Sequence, residues 1–87
     1  MAETIALQAV SFIINNETLC TRFISLTGSD QTFIKDNITN ALFLANVLDF
    51  LLAHEPDLLD FCDTHALQPN LPIIAKRTLM GLVNEVT

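Results

Sequence analysis

Residues Asn37 to His54 read NITNALFLANVLDFLLAH, and the reading of this stretch decides the fold. Between Ala41 and Ala53 only Asn46 and Asp49 are polar, three residues apart. That spacing puts both on one narrow stripe of a helix. The remaining positions are apolar all round, the mark of a helix surrounded by other helices. Thr39 or Asn40 is the expected cap, and Glu55-Pro56 the expected break, since Pro cannot continue a helix from behind. Leu48 lies opposite the polar stripe and is the expected centre of the core. A carboxylate at Asp49 is costly on such a helix unless it is hydrogen-bonded or solvated. Asp49 is therefore expected to cap a neighbouring helix or to point into a solvent seam. The alternative is an acid in a pocket, but only Asn46 shares its stripe, so acid–base chemistry lacks a second group.

Upstream, the polar residues Thr4, Gln8, Ser11 and Asn15 recur at helical spacing, which predicts an amphipathic first helix with a thin wet face. Asn15-Asn16 ends it and caps a second helix from Glu17 to Thr27, with Leu19, Cys20, Phe23 and Leu26 as its buried stripe. Gly28 follows directly and reads as the left-handed residue that closes this helix, where a Cβ would be costly. Ser29 and Asp30 cap a short third helix carrying Phe33 and Ile34.

Downstream, a fifth helix starts at Pro56, with Leu58, Leu59, Phe61, Cys62 and Ala66 on its inner side. Gln68-Pro69-Asn70 is a loop, and Pro72 opens a last helix running to about Asn84. In that helix Leu71, Ile74, Ala75, Thr78, Leu79 and Leu82 form the stripe expected to face the core. Ile73 and Met80, seven apart, fall on the other side beside Lys76 and Arg77. No strand alternation occurs, and the Gly and Pro residues stand at or near helix ends. Acids open helices (Glu3, Glu17, Asp30, Asp57), and His54 and His65 each close one, as the helix dipole favours.

The composition sets bounds on function. The 87 residues are enough for one domain, 1–87. Hydrophobic residues make up 51% and charged ones only 16%, against roughly 25% in typical domains. So few ionised groups leave some apolar surface for a partner or a second copy to cover. Four Lys and Arg against ten Asp and Glu give a net charge of −6, which disfavours phosphate backbones and anionic membranes alike. The segment from Leu19 to Ile38 has a helix-turn-helix outline, but its second helix carries as many acids as bases, so it is read as a helical corner. The N-terminus MAETIALQAV has an acid and no base, unlike a secretory signal, and no apolar run reaches membrane-span length. The expected location is cytoplasmic, with Cys20 and Cys62 as reduced thiols.

Chemistry-bearing residues are densest in HEPDLLDFCDTH, His54 to His65. Cys62 and His65 share a helix face and could hold one metal, but a site needs three or four convergent ligands, and His54 lies across the Pro56 break. As a thiol and its base the pair lacks an oxyanion hole and an orienting third residue. No catalytic, cofactor-binding or metal site is assigned. The sequons Asn16-Glu17-Thr18 and Asn37-Ile38-Thr39 read as caps and turns.

The order of motifs (ALQA at Ala6–Ala9, RFISLTG at Arg22–Gly28, FLANVLDFLL at Phe43–Leu52, LLDFC at Leu58–Cys62 and a Leu-x-Pro loop at Leu67–Pro69) resembles the domain of unknown function 3572 family of small alphaproteobacterial proteins. The resemblance implies a cytosolic, α-helical bacterial protein. It brings no activity, cofactor or site. The family pattern has Pro at the start of the central helix, where this chain has Ala41.

The expectation is an all-α fold, a compact bundle of five to six short helices around a central apolar one. The favoured function is a non-enzymatic protein-interaction module, docking on another protein or as a homodimer. Ile73, Lys76, Arg77 and Met80 would form the partner surface, and Gly28, Leu48 and Asp49 hold structural roles. The runner-up is a binding domain for a small apolar ligand between helices. Neither nucleic acid nor membrane is expected as a partner.

Overall fold

The computed structural model describes residues 1–84. Six helices follow one another: α1 (Ala2–Ile14), α2 (Glu17–Thr27), α3 (Gln31–Asp36), α4 (Ala41–Leu52), α5 (Glu55–Thr64) and α6 (Asn70–Asn84). No strand occurs among the described residues.

Asparagine and aspartate set three of the helix starts by the same chemistry. The side chain of Asn16 accepts from Leu19 N–H, that of Asp30 from Phe33 N–H, and that of Asn40 from both Leu42 and Phe43 N–H. Each bond satisfies a first-turn donor that the helix itself cannot. Asn40 rather than Thr39 is thus the cap of α4. The helix begins at Ala41. Gly28 closes α2 at φ +69°, and its N–H donates to the Ile24 carbonyl, the left-handed C-terminal cap read from the sequence.

The central helix is central. Phe43, Leu44, Ala45, Val47, Leu48 and Leu51 of α4 are buried, Leu48 completely. It packs mainly against α6 and α1, and α5 lies on another flank. Ile5, Ala6, Ala9, Val10 and Ile13 of α1 complete one side of the core, and Phe61 and Cys62 of α5 another. The two alanines at the centre of α1 let α4 and α6 approach closely. Edge-to-face aromatic contacts extend this core: Phe23 against Phe43 and Phe50, and Phe33 against Phe43.

Several faces are rotated from their expected settings. Among the described side chains of α6 the buried ones are Pro72, Ala75 and Leu79, whereas Ile74, Thr78 and Leu82 are exposed. The helix starts at Asn70, so Pro72 lies inside its first turn and packs in the core. The inward stripe keeps the expected Ala75 and Leu79, gains Pro72, has Leu71 half-buried, and leaves Ile74, Thr78 and Leu82 to solvent. Leu26 stands in the last turn of α2 and is 70% exposed. Leu59 of α5 and Ala66 after it are exposed, and the buried stripe of α5 is Leu58, Phe61 and Cys62. Ala66 lies past the helix end at φ +54°. His54 does not close α4, which is capped by Ala53. It is the N-cap residue of α5 instead.

Candidate functional site

The four residues expected to form a partner surface come together. Ile73, Lys76, Arg77 and Met80, with Leu52 of α4 and Gly81, line a surface groove of about 450 Å3. Their spacing along α6 puts them on one side of that helix. A second groove of about 450 Å3 continues from it, lined by Glu55, Leu58 and Leu59 of α5 with Pro69 and Asn70. Leu52 and Ile73 border both. The two adjoin as a furrow where α4, α5 and α6 meet, largely apolar, with Arg77 lining the first part and Glu55 the second.

Ile73 is exposed as expected, at 39%. Met80 differs from expectation. It is only half-exposed and packs against the core, because the rotation of α6 draws position 80 inward beside Leu79. Lys76 is committed within its own chain, as its Nζ donates to Asp49 Oδ1 at 2.6 Å. Asp49 therefore sits in a solvent seam between α4 and α6, 59% exposed, and caps no helix. Arg77 and Glu55 are exposed and have no ion-pair partner among the described residues. Sequence reasoning did not assign Leu52 or Leu59 to the furrow, whereas Glu55, with Asp57, Asp60 and Asp63, is among the acids that the sequence offers to Lys76 and Arg77 of a second copy. Period-3.6 patterning around Leu52 and Leu59 reads as core, and only the meeting of three helices shows them outside it.

The His54–His65 run is organised for packing. Asp57 pairs with Arg22 of α2 and lies 2.7 Å from His54 Nδ1, tying α5 to α2. The Arg22 guanidinium also sits 5.4 Å over the Phe50 ring. His65 rests on Phe61 and Phe12, with ring centroids 5.1 and 6.3 Å away. The Cys62 thiol is buried 4.0 Å from the Gln68 carbonyl, and burial pushes its pKa up, which lowers its thiolate content. Cys20 and Cys62 are both free thiols. Among the described residues no three His, Cys, Asp or Glu side chains converge on a point where a metal could sit. No helix among them is long and apolar enough to cross a membrane.

A family model, Protein of unknown function (DUF3572), matches residues 1–82. The chain belongs to this family. No curated protein and no solved structure matches it. The match takes in all of α1 to α5 and most of α6, so the DUF3572 pattern spans both the core and the furrow. The LTG turn at Leu26–Gly28 forms the C-terminal end of α2, and VLDFLL at Val47–Leu52 is the second half of α4, with Val47, Leu48 and Leu51 buried. DUF3572 membership supplies no substrate or activity, and any functional reading rests on the surface itself.

Proposed function

We propose that this DUF3572 protein is a non-enzymatic, cytoplasmic interaction module that associates with a second copy of itself through the α4–α5–α6 furrow. One observation carries the reading: two adjoining, largely apolar grooves share Leu52 and Ile73, and one carries the unpaired base Arg77 while the other carries the unpaired acid Glu55. A two-fold axis near Leu52 and Ile73 would lay Arg77 of each copy against Glu55 of the other. A two-fold interface repeats each contact, so one complementary pair becomes two. The apolar lining supplies contact area, and the two charges set the register. The low content of charged residues and the net charge of −6 favour a protein partner over nucleic acid.

Sedimentation equilibrium from about 10 μM to 1 mM tests the reading, since weak association shows in that range. The mass is expected to rise toward that of a dimer. Ile73→Glu should abolish the rise and leave the helical spectrum intact, because Ile73 is exposed; Met80, half in the core, is a less clean position. Glu55→Arg and Arg77→Glu should each weaken association, and the double reversal should restore it. A monomer at every concentration overturns the proposal.

A further inference from the structure

A second concavity lies on another part of the molecule, where the end of α2, the short α3 and the start of α4 meet. It encloses about 250 Å3. None of its lining residues is charged. Phe23, Phe33 and Phe43 form one wall, the rings following one another edge to face with centroids 6.3 and 5.9 Å apart. Phe33 is 49% exposed there, although a six-residue helix could have carried a polar residue at that position.

The polar part of the lining is held in one orientation. Asn40 uses its side-chain oxygen to cap α4, accepting from Leu42 and Phe43 N–H, so its NH2 group remains as a donor. Asn37 uses its NH2 group to donate to the Phe33 carbonyl, so its side-chain oxygen remains as an acceptor. The cap bonds prevent either amide from flipping. Ser29 also lines the cavity. It is only 4% exposed.

We infer that this cavity binds a small, neutral, planar aromatic molecule carrying a carboxamide- or lactam-type edge. The ring packs on the phenylalanine wall, offset or edge-on as aromatic quadrupoles prefer. Its edge accepts from the Asn40 NH2 group, donates to the Asn37 oxygen, and takes up the Ser29 hydroxyl. A charged ligand would leave water for a site with no counter-charge, at a penalty nothing there offsets. At about 250 Å3 the cavity is below the size of ordinary drug-sized sites, roughly 300–1,000 Å3, and suits a ligand of one or two rings. It differs from the dry apolar pocket that the sequence reading had as its runner-up, because hydrogen-bonding groups make up much of its lining.

Benzamide is the probe, added to the full 15N-labelled chain and followed by backbone and side-chain amide NMR. Shifts should saturate in about the millimolar range, as expected for a fragment. They should be confined to Ser29, Phe33, Asn37, Asn40 and their neighbours. Cyclohexanecarboxamide, which keeps the polar edge without the ring, and toluene, which keeps the ring without the edge, should each bind at least about fivefold more weakly. Phe33→Leu alters an exposed side chain and should leave the spectrum of the free protein folded while weakening benzamide about fivefold or more. Ser29→Ala should weaken benzamide without affecting toluene. Shifts scattered over the surface, equal binding of all three probes, or benzamide binding unchanged in Phe33→Leu would each overturn the inference. It stands apart from self-association, because none of these residues lines the α4–α5–α6 furrow.

Discussion

Lys76 Nζ and Asp49 Oδ1 lie 2.6 Å apart, joining the one acidic position of the central helix to the last helix across a solvent seam. The pair explains how α4 carries a carboxylate on an otherwise apolar surface. Asp49 is 59% exposed, so water as well as Lys76 solvates it. Exposed pairs contribute little, about 0.2–1 kcal/mol. Asp49→Asn should therefore lower stability by less than about 1 kcal/mol in urea denaturation, and less still at high salt. A loss of several kcal/mol would show that the carboxylate is far less solvated than its exposure indicates.

Gly28 allows backbone strain to be measured without steric interference. Its φ is +69°, and a Cβ built there meets no atom within 4 Å. The cost of Gly28→Ala is then conformational alone, about 1 kcal/mol or slightly more. The urea midpoint should fall with an unchanged slope. No fall at all would mean that the C-terminal turn of α2 rearranges to negative φ.

Leu48 is fully buried at the centre of α4. Leu48→Ala removes packing against several helices and should cost about 2–5 kcal/mol. That is a large share of the roughly 5–15 kcal/mol of a typical domain, so partial unfolding at room temperature is expected by circular dichroism. Destabilisation below about 1 kcal/mol would contradict the position of α4 in the core.

Gln8 points to a substitution that should stabilise. Its Oε1 is buried without a partner among the described residues, although the sequence places Gln8 on the wet stripe of α1. An unsatisfied buried acceptor costs about 1–3 kcal/mol. Gln8→Met keeps the unbranched shape and removes the polar atoms, so the melting temperature should rise. A drop would show that the amide has a hydrogen-bond partner, such as an internal water.

Cys62 gives stability a dependence on alkaline pH. Burial raises its pKa, so the folded state holds the thiol proton more tightly than the unfolded chain does. The sign follows: this contribution is intact below the unfolded thiol's value and is lost as pH climbs through the folded one. Urea midpoints should be level near neutrality and fall above about pH 9, with a smaller fall in Cys62→Ala. Under native conditions iodoacetamide should modify the half-exposed Cys20 well before the buried Cys62. Equal labelling rates would mean that α5 opens readily.

Much of the fold was legible before any coordinates, because local chemistry sets it. Asn16, Asp30 and Asn40 cap helices by bonds spanning two or three residues, and Gly28 ends α2 through its own φ. The apolar run of α4 leaves no face for water except the Asn46–Asp49 stripe, so its central place follows from hydrophobic periodicity alone.

What the tertiary structure decided is the rotation of each helix about its axis and the surfaces that form where helices meet. Leu71 to Leu82 contains enough apolar residues to satisfy more than one inward stripe, and packing buries Pro72 with Ala75 and Leu79 while leaving Ile74, Thr78 and Leu82 exposed. That choice draws Met80 toward the core, leaves Ile73 exposed, and gives Lys76 to Asp49. The furrow between Glu55 and Arg77, and the cavity where Ser29, Asn37 and Asn40 meet the phenylalanine wall, depend on contacts between residues on different helices. Helical periodicity reports which residues avoid water within one helix, and it carries no term for the neighbour that excludes the water.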